Sequence, residues 1–328
     1  MKGTASEPKR FAARSKLGNA QGAGAMMDEM GDSGETPPGG SAVPGAAGQR
    51  LAPGLYIIAT PIGAARDITL RALDILATAE VLAAEDTRRL RHLMDIHGVA
   101  LNGRPLVAYH DHNEAAALPR LLAALRQGKS VAYASEAGTP LVSDPGFGLV
   151  RAAAAEGQMV LAAPGASAVL CALTVAGLPT DRFLFAGFVP SAAGERATFY
   201  RDLAELRATL IVYESPKRLG KSLHAAAAAL GKTRRAAVCR ELTKRFEEVR
   251  RGTLGELALS YESHEPKGEI VLVIDRGETA APGAAQIDSA LQDALARMSV
   301  RDAVNLVVHD LGVPRREIYQ RALELTRI

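Results

Sequence analysis

Tryptophan is absent, and aromatic residues make up only 4% of the 328 positions. A single-strand nucleic-acid binder built on a row of stacking rings is therefore not expected. Only two cysteines occur, Cys171 and Cys239, far apart and inside apolar stretches. They supply no disulfide framework and no CxxC pair, and they read as buried small hydrophobes in a reducing, cytoplasmic setting. Neither GxGxxG nor GxxxxGK[ST] occurs, so a dinucleotide fingerprint and a P-loop are both missing, and an NAD-dependent dehydrogenase is not supported. The basic and apolar blocks of a signal peptide are missing as well. Residues 159–180 carry no charge, but Pro164–Gly165 and Gly177–Leu178–Pro179 break the run. A strand, a turn and a helix account for it better than a membrane span does.

What is present is an ordinary globular composition, with 48% hydrophobic and 23% charged residues. The excess of Lys and Arg over Asp and Glu is +3, which permits a polyanionic partner without demanding one. The length suits about two domains of common size. Residues 1–50 differ from the rest: Gly, Ala, Ser and Pro dominate, and such a stretch cannot repay its ordering entropy. They are expected to be a disordered tail, dispensable or acting as a weakly basic arm through Lys9, Arg10, Arg14 and Lys16.

Beyond residue 50, short apolar runs at 55–59, 81–84, 106–109, 131–134 and 159–162 read as buried strands, and a second set follows at 183–186, 210–213, 236–239 and 270–274. Helical periodicity fills the gaps, at 68–79, 115–126 and 219–230 among others, the last closed by Gly231. Strand–helix alternation predicts an α/β chain with largely parallel sheets. Two strand sets predict two α/β domains, 51–164 and 165–277. Residues 286–328 predict a small separate helical unit, with a capping start at Ser299, a stop at Gly312 and a new helix opened by Pro314. Two helices across a short Gly turn resemble a helix-turn-helix, the second carrying Arg315, Arg316 and Arg321. The unit serves either to cap a core or dimer or to help bind RNA.

The unusual residues fall in phase with the strands. TPIG (60–63), EDTR (85–88), HDHNE (110–114), SEAGTP (135–140) and PGAS (164–167) each follow a strand of the first set. ESPKR (214–218) and RELTK (240–244) do so in the second, and Gly268–Glu269 precedes the last strand. In open α/β sheets that edge is the ligand crevice, so seven clusters in phase predict a site between the two domains. Each cluster also has a plainer reading. TPIG could be a simple turn; the acids of EDTR could cap and charge-match a helix N-terminus. The same acids could instead handle a hydroxyl proton, with Arg88 gripping a phosphate. HDHN has the spacing of metal ligands but no further His or Cys to close a shell, so no metal is expected. The successive turns SEAGTP and SDPG (143–146) expose backbone groups suited to a small ligand.

The combined run LYIIATPIG, AEDTR, HDHNE, SEAGTPLVSDPG, PGAS, YESPKRL, RELTK and KGEIVLVI resembles the tetrapyrrole methylase superfamily, over about residues 54–276 and on into the C-terminal helices. Within it the resemblance is to the branch that methylates small-subunit ribosomal RNA. The resemblance implies two α/β domains with S-adenosylmethionine in the cleft between them, a homodimer, and 2′-O-methylation of a cytidine in the decoding region. It carries cofactor contacts onto Pro61, Ile62, Gly63, Glu136, Gly138, Thr139, Ala166, Ser167, Tyr213, Leu242 and Glu269. Three positions depart from the family pattern: Ala64–Ala65 where Asn-Leu is usual, Glu136 in place of Asp, and Lys217 in place of His. For proton transfer Asp86 is the first candidate, with His110 and Glu241 behind it; Arg88, Arg240, Lys244 and Arg245 are candidates for phosphate contacts. A tetrapyrrole C-methyltransferase and a non-catalytic rRNA-binding assembly factor remain the alternatives.

Overall fold

The structure, a computed structural model, describes residues 50–277 and 283–326. The predicted tail lies outside the described residues, apart from Arg50. The first part of the chain alternates β1 (Gly54–Ile58), α1 (Leu70–Thr78), β2 (Val81–Ala84), α2 (Thr87–Ile96), β3 (Leu106–Ala108), α3 (Glu114–Arg126), β4 (Ser130–Ala134), α4 (Phe147–Ala155) and β5 (Val160–Ala163). These five strands form one parallel sheet in the order β3-β2-β4-β1-β5. Alternate residues of β1 feed opposite cores: Tyr56 and Ile58 pack with α1 and α2, Leu55 and Ile57 with α3 and α4. Both faces are covered, which is why β1 and β2 are apolar throughout and β4 is so after Ser130.

α5 (Ala168–Ala176) then leads into β6 (Phe183–Phe188), α6 (Ala193–Asp202), β7 (Thr209–Glu214), α7 (Leu219–Leu230), β8 (Arg235–Arg240), β9 (Glu248–Thr253), α8 (Leu254–Ser260) and β10 (Ile270–Ile274). The second sheet has the order β6-β7-β10-β8-β9. One face packs on α6, α7 and α8 through Tyr200, Leu223 and Leu257; the other packs on α5 through Val169, Ala172 and Leu173. The expectation of largely parallel pairing holds in the first sheet and fails in the second. There only β6 and β7 run parallel, while β10 is antiparallel to both β7 and β8, and β8 to β9. The cause is β9, which the apolar-run reading passes over because its sequence is EVRRGT. It is an edge strand, and a short turn returns it beside β8, so no crossover helix intervenes.

The remaining helices are α9 (Ala284–Leu295), α10 (Val300–Leu311) and α11 (Arg315–Leu325). They enclose their own core around Leu291, Val304, Val307 and Ile318. Ser299 caps α10 and Gly312 ends it in the left-handed conformation. Arg321 fastens α11 to α9 through a two-pronged pair with Asp288, at 2.6 and 2.7 Å, which leaves Arg315 and Arg316 as exposed cations.

Among the described residues no helix is long and apolar enough to cross a membrane.

Candidate active site

In the first sheet the connections from β1 and β4 leave in opposite directions, and these strands are neighbours. That is a topological switch point, where a crevice opens beyond the strand ends. The two loops there are tied by a reciprocal pair of backbone bonds: Thr60 and Gly138 each donate an N–H to the other's carbonyl at 2.9 Å. Gly138 has φ +82°, and a side chain there would press on Ile62. In the second sheet the carboxyl ends of β7 and β8 and the start of antiparallel β10 share one rim. The rims meet where the Ala64 N–H donates to Thr243 Oγ1 at 3.1 Å. A Cβ on Gly63 would come within 2.6 Å of both Thr243 Oγ1 and Lys244 Cγ, so glycine is what lets the loops touch.

Between the rims lies a cleft of about 410 Å³, a size common for small-molecule sites. Its wall draws on six of the seven clusters: Ile62, Glu85, the 136–139 turn, Ser167, the 213–216 turn and Leu242 all line it, joined by Asp144 and Gly268–Glu269. The seventh cluster does not take part. HDHNE follows β3, an edge strand separated from the switch point by β2. His110 instead holds a turn, its N–H donating to Asn113 Oδ1 at 2.9 Å, and its ring Nδ1 is buried without a partner.

The wall is acidic. Five carboxylates line it (Glu85, Glu136, Asp144, Glu214 and Glu269), and no Lys or Arg does. The nearby cations are spent on these acids. Arg89 pairs with Glu136 at 3.1 Å, Arg218 with Glu214 at 3.1 Å and Lys244 with Glu269 at 3.0 Å. Glu214 has a fully buried side chain whose Oε1 accepts from Ser215 N–H and Arg218, while its Oε2 has no partner. A buried unpaired carboxylate oxygen is costly unless a ligand satisfies it. Asp144 is pushed up to about 7, by burial first and by the charges of Glu85 and Glu136 next. Tyr213 is also pushed up by burial, to about 12, so it faces the cleft as a neutral phenol.

Backbone strain gathers at the same place. Of the five non-glycine residues at positive φ among the described residues, Leu141 and Ser143 lie on the loop after β4, and Glu241 and Thr243 on the loop after β8. Such conformations cost energy and persist where the surroundings enforce them, often at ligand sites.

Residues 54–258 match the model of the Tetrapyrrole (Corrin/Porphyrin) Methylases, and residues 281–326 match that of the RsmI C-terminal HTH domain. A "Ribosomal RNA small subunit methyltransferase I" from Mesorhizobium japonicum is 50% identical over 84% of this chain and 93% of its own. The protein of that name from Escherichia coli O157:H7 is 40% identical over 82% and 94%. The chain belongs to the tetrapyrrole methylase family. In fold it is similar to a cobalt precorrin-4 methyltransferase of cobalamin biosynthesis, with a TM-score of 0.52 and 19% identity over 67% of this chain and 94% of that one.

Enzymes of this family are methyltransferases that use S-adenosylmethionine, a sulfonium cation, and the wall of this methylase suits a cation. Eight of the eleven residues expected to hold the cofactor line the cleft: Ile62, Glu136, Gly138, Thr139, Ser167, Tyr213, Leu242 and Glu269. Pro61, Gly63 and Ala166 do not line it, although the Ala166 carbonyl accepts a hydrogen bond from Thr139 Oγ1 at 3.0 Å. Glu136, longer than the usual Asp, reaches the cleft while its own N–H donates to Glu85 Oε2 at 3.0 Å.

None of the proton-transfer candidates lines the cleft. Asp86 is the N-cap of α2, accepting from the N–H groups of Arg88 and Arg89 at 2.8 and 3.3 Å, which is the capping alternative weighed from the sequence. The Arg88 guanidinium and those N–H groups hold its carboxyl at about 2, far too acidic for an effective base. Glu241 accepts from Lys244 Nζ and the Glu269 N–H, both at 2.9 Å. Burial opposes its ionisation, but these donors prevail and keep its carboxyl below the usual range. Of the phosphate candidates, Arg240 is tied to Glu248 and to the Lys267 carbonyl, and Lys244 to two glutamates, whereas Arg88 and Arg245 are exposed. Arg245 lies over the Phe246 ring, 5.5 Å from its centroid.

Sequence reasoning missed Glu85, Asp144 and Glu214 as individual wall residues, although their motifs were singled out. It also missed Phe188, which ends β6, stands 60% exposed and meets Tyr213 at 5.2 Å. No local pattern marks Phe188; only the pairing of β6 with β7 brings it to the cleft.

Proposed function

We propose that this methylase transfers the methyl group of S-adenosylmethionine to the ribose 2′-oxygen of a cytidine in the decoding region of small-subunit ribosomal RNA. The reading rests on one observation above all: similarity to enzymes named for small-subunit rRNA methylation runs through both sheets and into the C-terminal helices. When bound, S-adenosylmethionine supplies an electrophilic methyl on a positively charged sulfur. Ile62, Gly138, Thr139, Ser167, Tyr213 and Leu242 would enclose it, and the acidic wall would favour its charge. Glu214 Oε2 is the acceptor that a cationic or N–H-bearing group of the ligand would satisfy.

Acceleration then comes largely from holding the acceptor oxygen in line with the methyl carbon. The hydroxyl proton passes to a carboxylate of the cleft wall rather than to Asp86 or Glu241, whose oxygens are committed to a helix cap and an ammonium. The exposed Phe188 ring offers a face on which the substrate base can stack at the cleft mouth. Arg88, Arg91 and Arg245 are exposed and would take phosphates outside the acidic wall, while Arg315 and Arg316 of α11 add a second basic contact. The enzyme is read as a homodimer.

The test is methyl transfer from isotopically labelled S-adenosylmethionine to purified small subunits lacking the modification, with mapping of the labelled nucleoside. Label on the 2′-oxygen of a cytidine is the expected result. Label on a base, or its absence from rRNA with label instead entering a porphyrinoid, would overturn the assignment.

A further inference from the structure

The five wall carboxylates are not equivalent. Glu136, Glu214 and Glu269 each have a cation, and Glu85 accepts the Glu136 N–H. Asp144 forms no ion pair with any Lys or Arg among the described residues. Its position is nevertheless well set. It sits on the turn shaped by Leu141 (φ 72°) and Ser143 (φ 64°), closed by Gly146, where a side chain would fall 2.7 Å from the Tyr133 ring. Tyr133 braces the turn by donating its hydroxyl to the Pro145 carbonyl at 3.0 Å.

The charges that act on Asp144 are those of Glu85 and Glu136, with the Arg89 guanidinium paired to Glu136 behind them. Glu85 reaches it from the end of β2, Glu136 from the end of β4, Tyr133 from β4 itself and Tyr213 from β7 across the cleft. The Ser135 hydroxyl is close enough to help its charged form slightly, but burial and the two glutamates outweigh that and place its titration near neutrality.

Resting on the methyl-donor reading above, we propose that Asp144 is the residue by which the cleft distinguishes the charged donor from the spent product. S-adenosylmethionine and S-adenosylhomocysteine share the adenosine and the amino-acid end and differ by one methyl group and one positive charge on sulfur. An ionised Asp144 attracts the sulfonium and gains little from the neutral thioether. Binding and ionisation are reciprocal, so the donor drives the proton off Asp144, and the product leaves it in place. Each of the other wall carboxylates already engages a cation or a backbone donor.

Isothermal titration calorimetry on the full chain tests this, with S-adenosylmethionine and S-adenosylhomocysteine at pH 6, 7 and 8, in buffers of different ionisation enthalpy. The wild-type affinity for the donor should rise about three- to tenfold from pH 6 to pH 8, with a fraction of a proton released near pH 7. The product's affinity should change by less than about twofold over the same range. D144N should bind the donor with no such rise, and E85Q should move the transition to lower pH. E85Q also carries the test by itself if D144N does not fold. A parallel response of donor and product, or a D144N protein that keeps the wild-type pH dependence, would overturn the proposal. Tight, pH-independent binding of both ligands would sink this inference alone. Binding of neither at any pH would sink the donor reading and this inference with it.

Discussion

The wall of the cleft and its outer rim are built from the same loops but carry opposite charge. The wall presents five carboxylates and no basic side chain. One turn of chain away, Arg88, Arg91 and Arg245 stand exposed. Loops alone do not settle which charge ends where; pairing does. Arg89, Arg218 and Lys244, the cations nearest the wall, are each drawn into a carboxylate and leave the wall net acidic. Arg88 also has a partner in Asp86, but its guanidinium is largely in water, so a phosphate can readily recruit it. The division lets one opening accept a cation at depth and a polyanion at its lip.

The sharpest way to break this comparison is to separate the two rims. Gly63→Val would drive side-chain atoms into Thr243 and Lys244, where even a Cβ lies within 2.6 Å. Donor affinity should fall by about ten- to a hundredfold, a size usual for disturbed packing at a tight contact. Gly194→Ala, on α6 with open space around it, should bind the donor normally in the same calorimetric titration.

A smaller effect separates wall from rim by ligand. Arg88→Ala and Arg245→Ala should each weaken binding to small-subunit rRNA about three- to tenfold and lower the log–log salt slope by about 1, with donor affinity unchanged. Lys244→Ala should do the reverse, altering donor affinity while leaving the salt slope as it was, because Lys244 serves Glu241 and Glu269. Filter binding over a salt series, alongside calorimetry, measures both. Equal salt slopes for all three variants would erase the distinction between wall and rim.

The last effect is on stability. Asp144 titrates at about 7 when folded against an ordinary value of 3.8, so the folded state holds that proton more tightly than the unfolded chain. Its contribution is fully present below about pH 4 and is lost as pH rises through about 7. Urea unfolding should show wild type losing about 1–2 kcal/mol relative to D144N between pH 4 and pH 8, less than the full linkage value because water screens a half-exposed carboxylate. An unchanged difference across that range would show that the wall does not burden the free protein.

The strands β1, β2, β4 and β10 were legible in the sequence as apolar runs because each is buried on both faces. β9 was not, since an edge strand with Arg250 and Arg251 has no apolar run to read; Arg251 turns back to donate to the Val175 and Ala176 carbonyls at the end of α5. The phase between unusual residues and strand ends located the cleft, and it misplaced only the cluster after the edge strand β3. Individual roles were less legible. Asp86 looks the same in sequence whether it caps a helix or serves a reaction, and only its two backbone donors separate the cases. Asp144 looks like any turn aspartate until two other segments of the chain bring Glu85 and Tyr213 to it, beside Glu136 of its own loop.

The middle of the second sheet is filled by β10, the last of its strands in chain order, inserted between β7 and β8. During synthesis those two strands emerge well before the one that must lie between them. Until residue 274 leaves the ribosome, both keep an open hydrogen-bonding edge beside apolar side chains, the feature that invites pairing with other chains. A nascent chain stopped short of that point has no floor beneath one side of its cleft, so completion of the enzyme waits on five residues near the end of the second sheet's sequence.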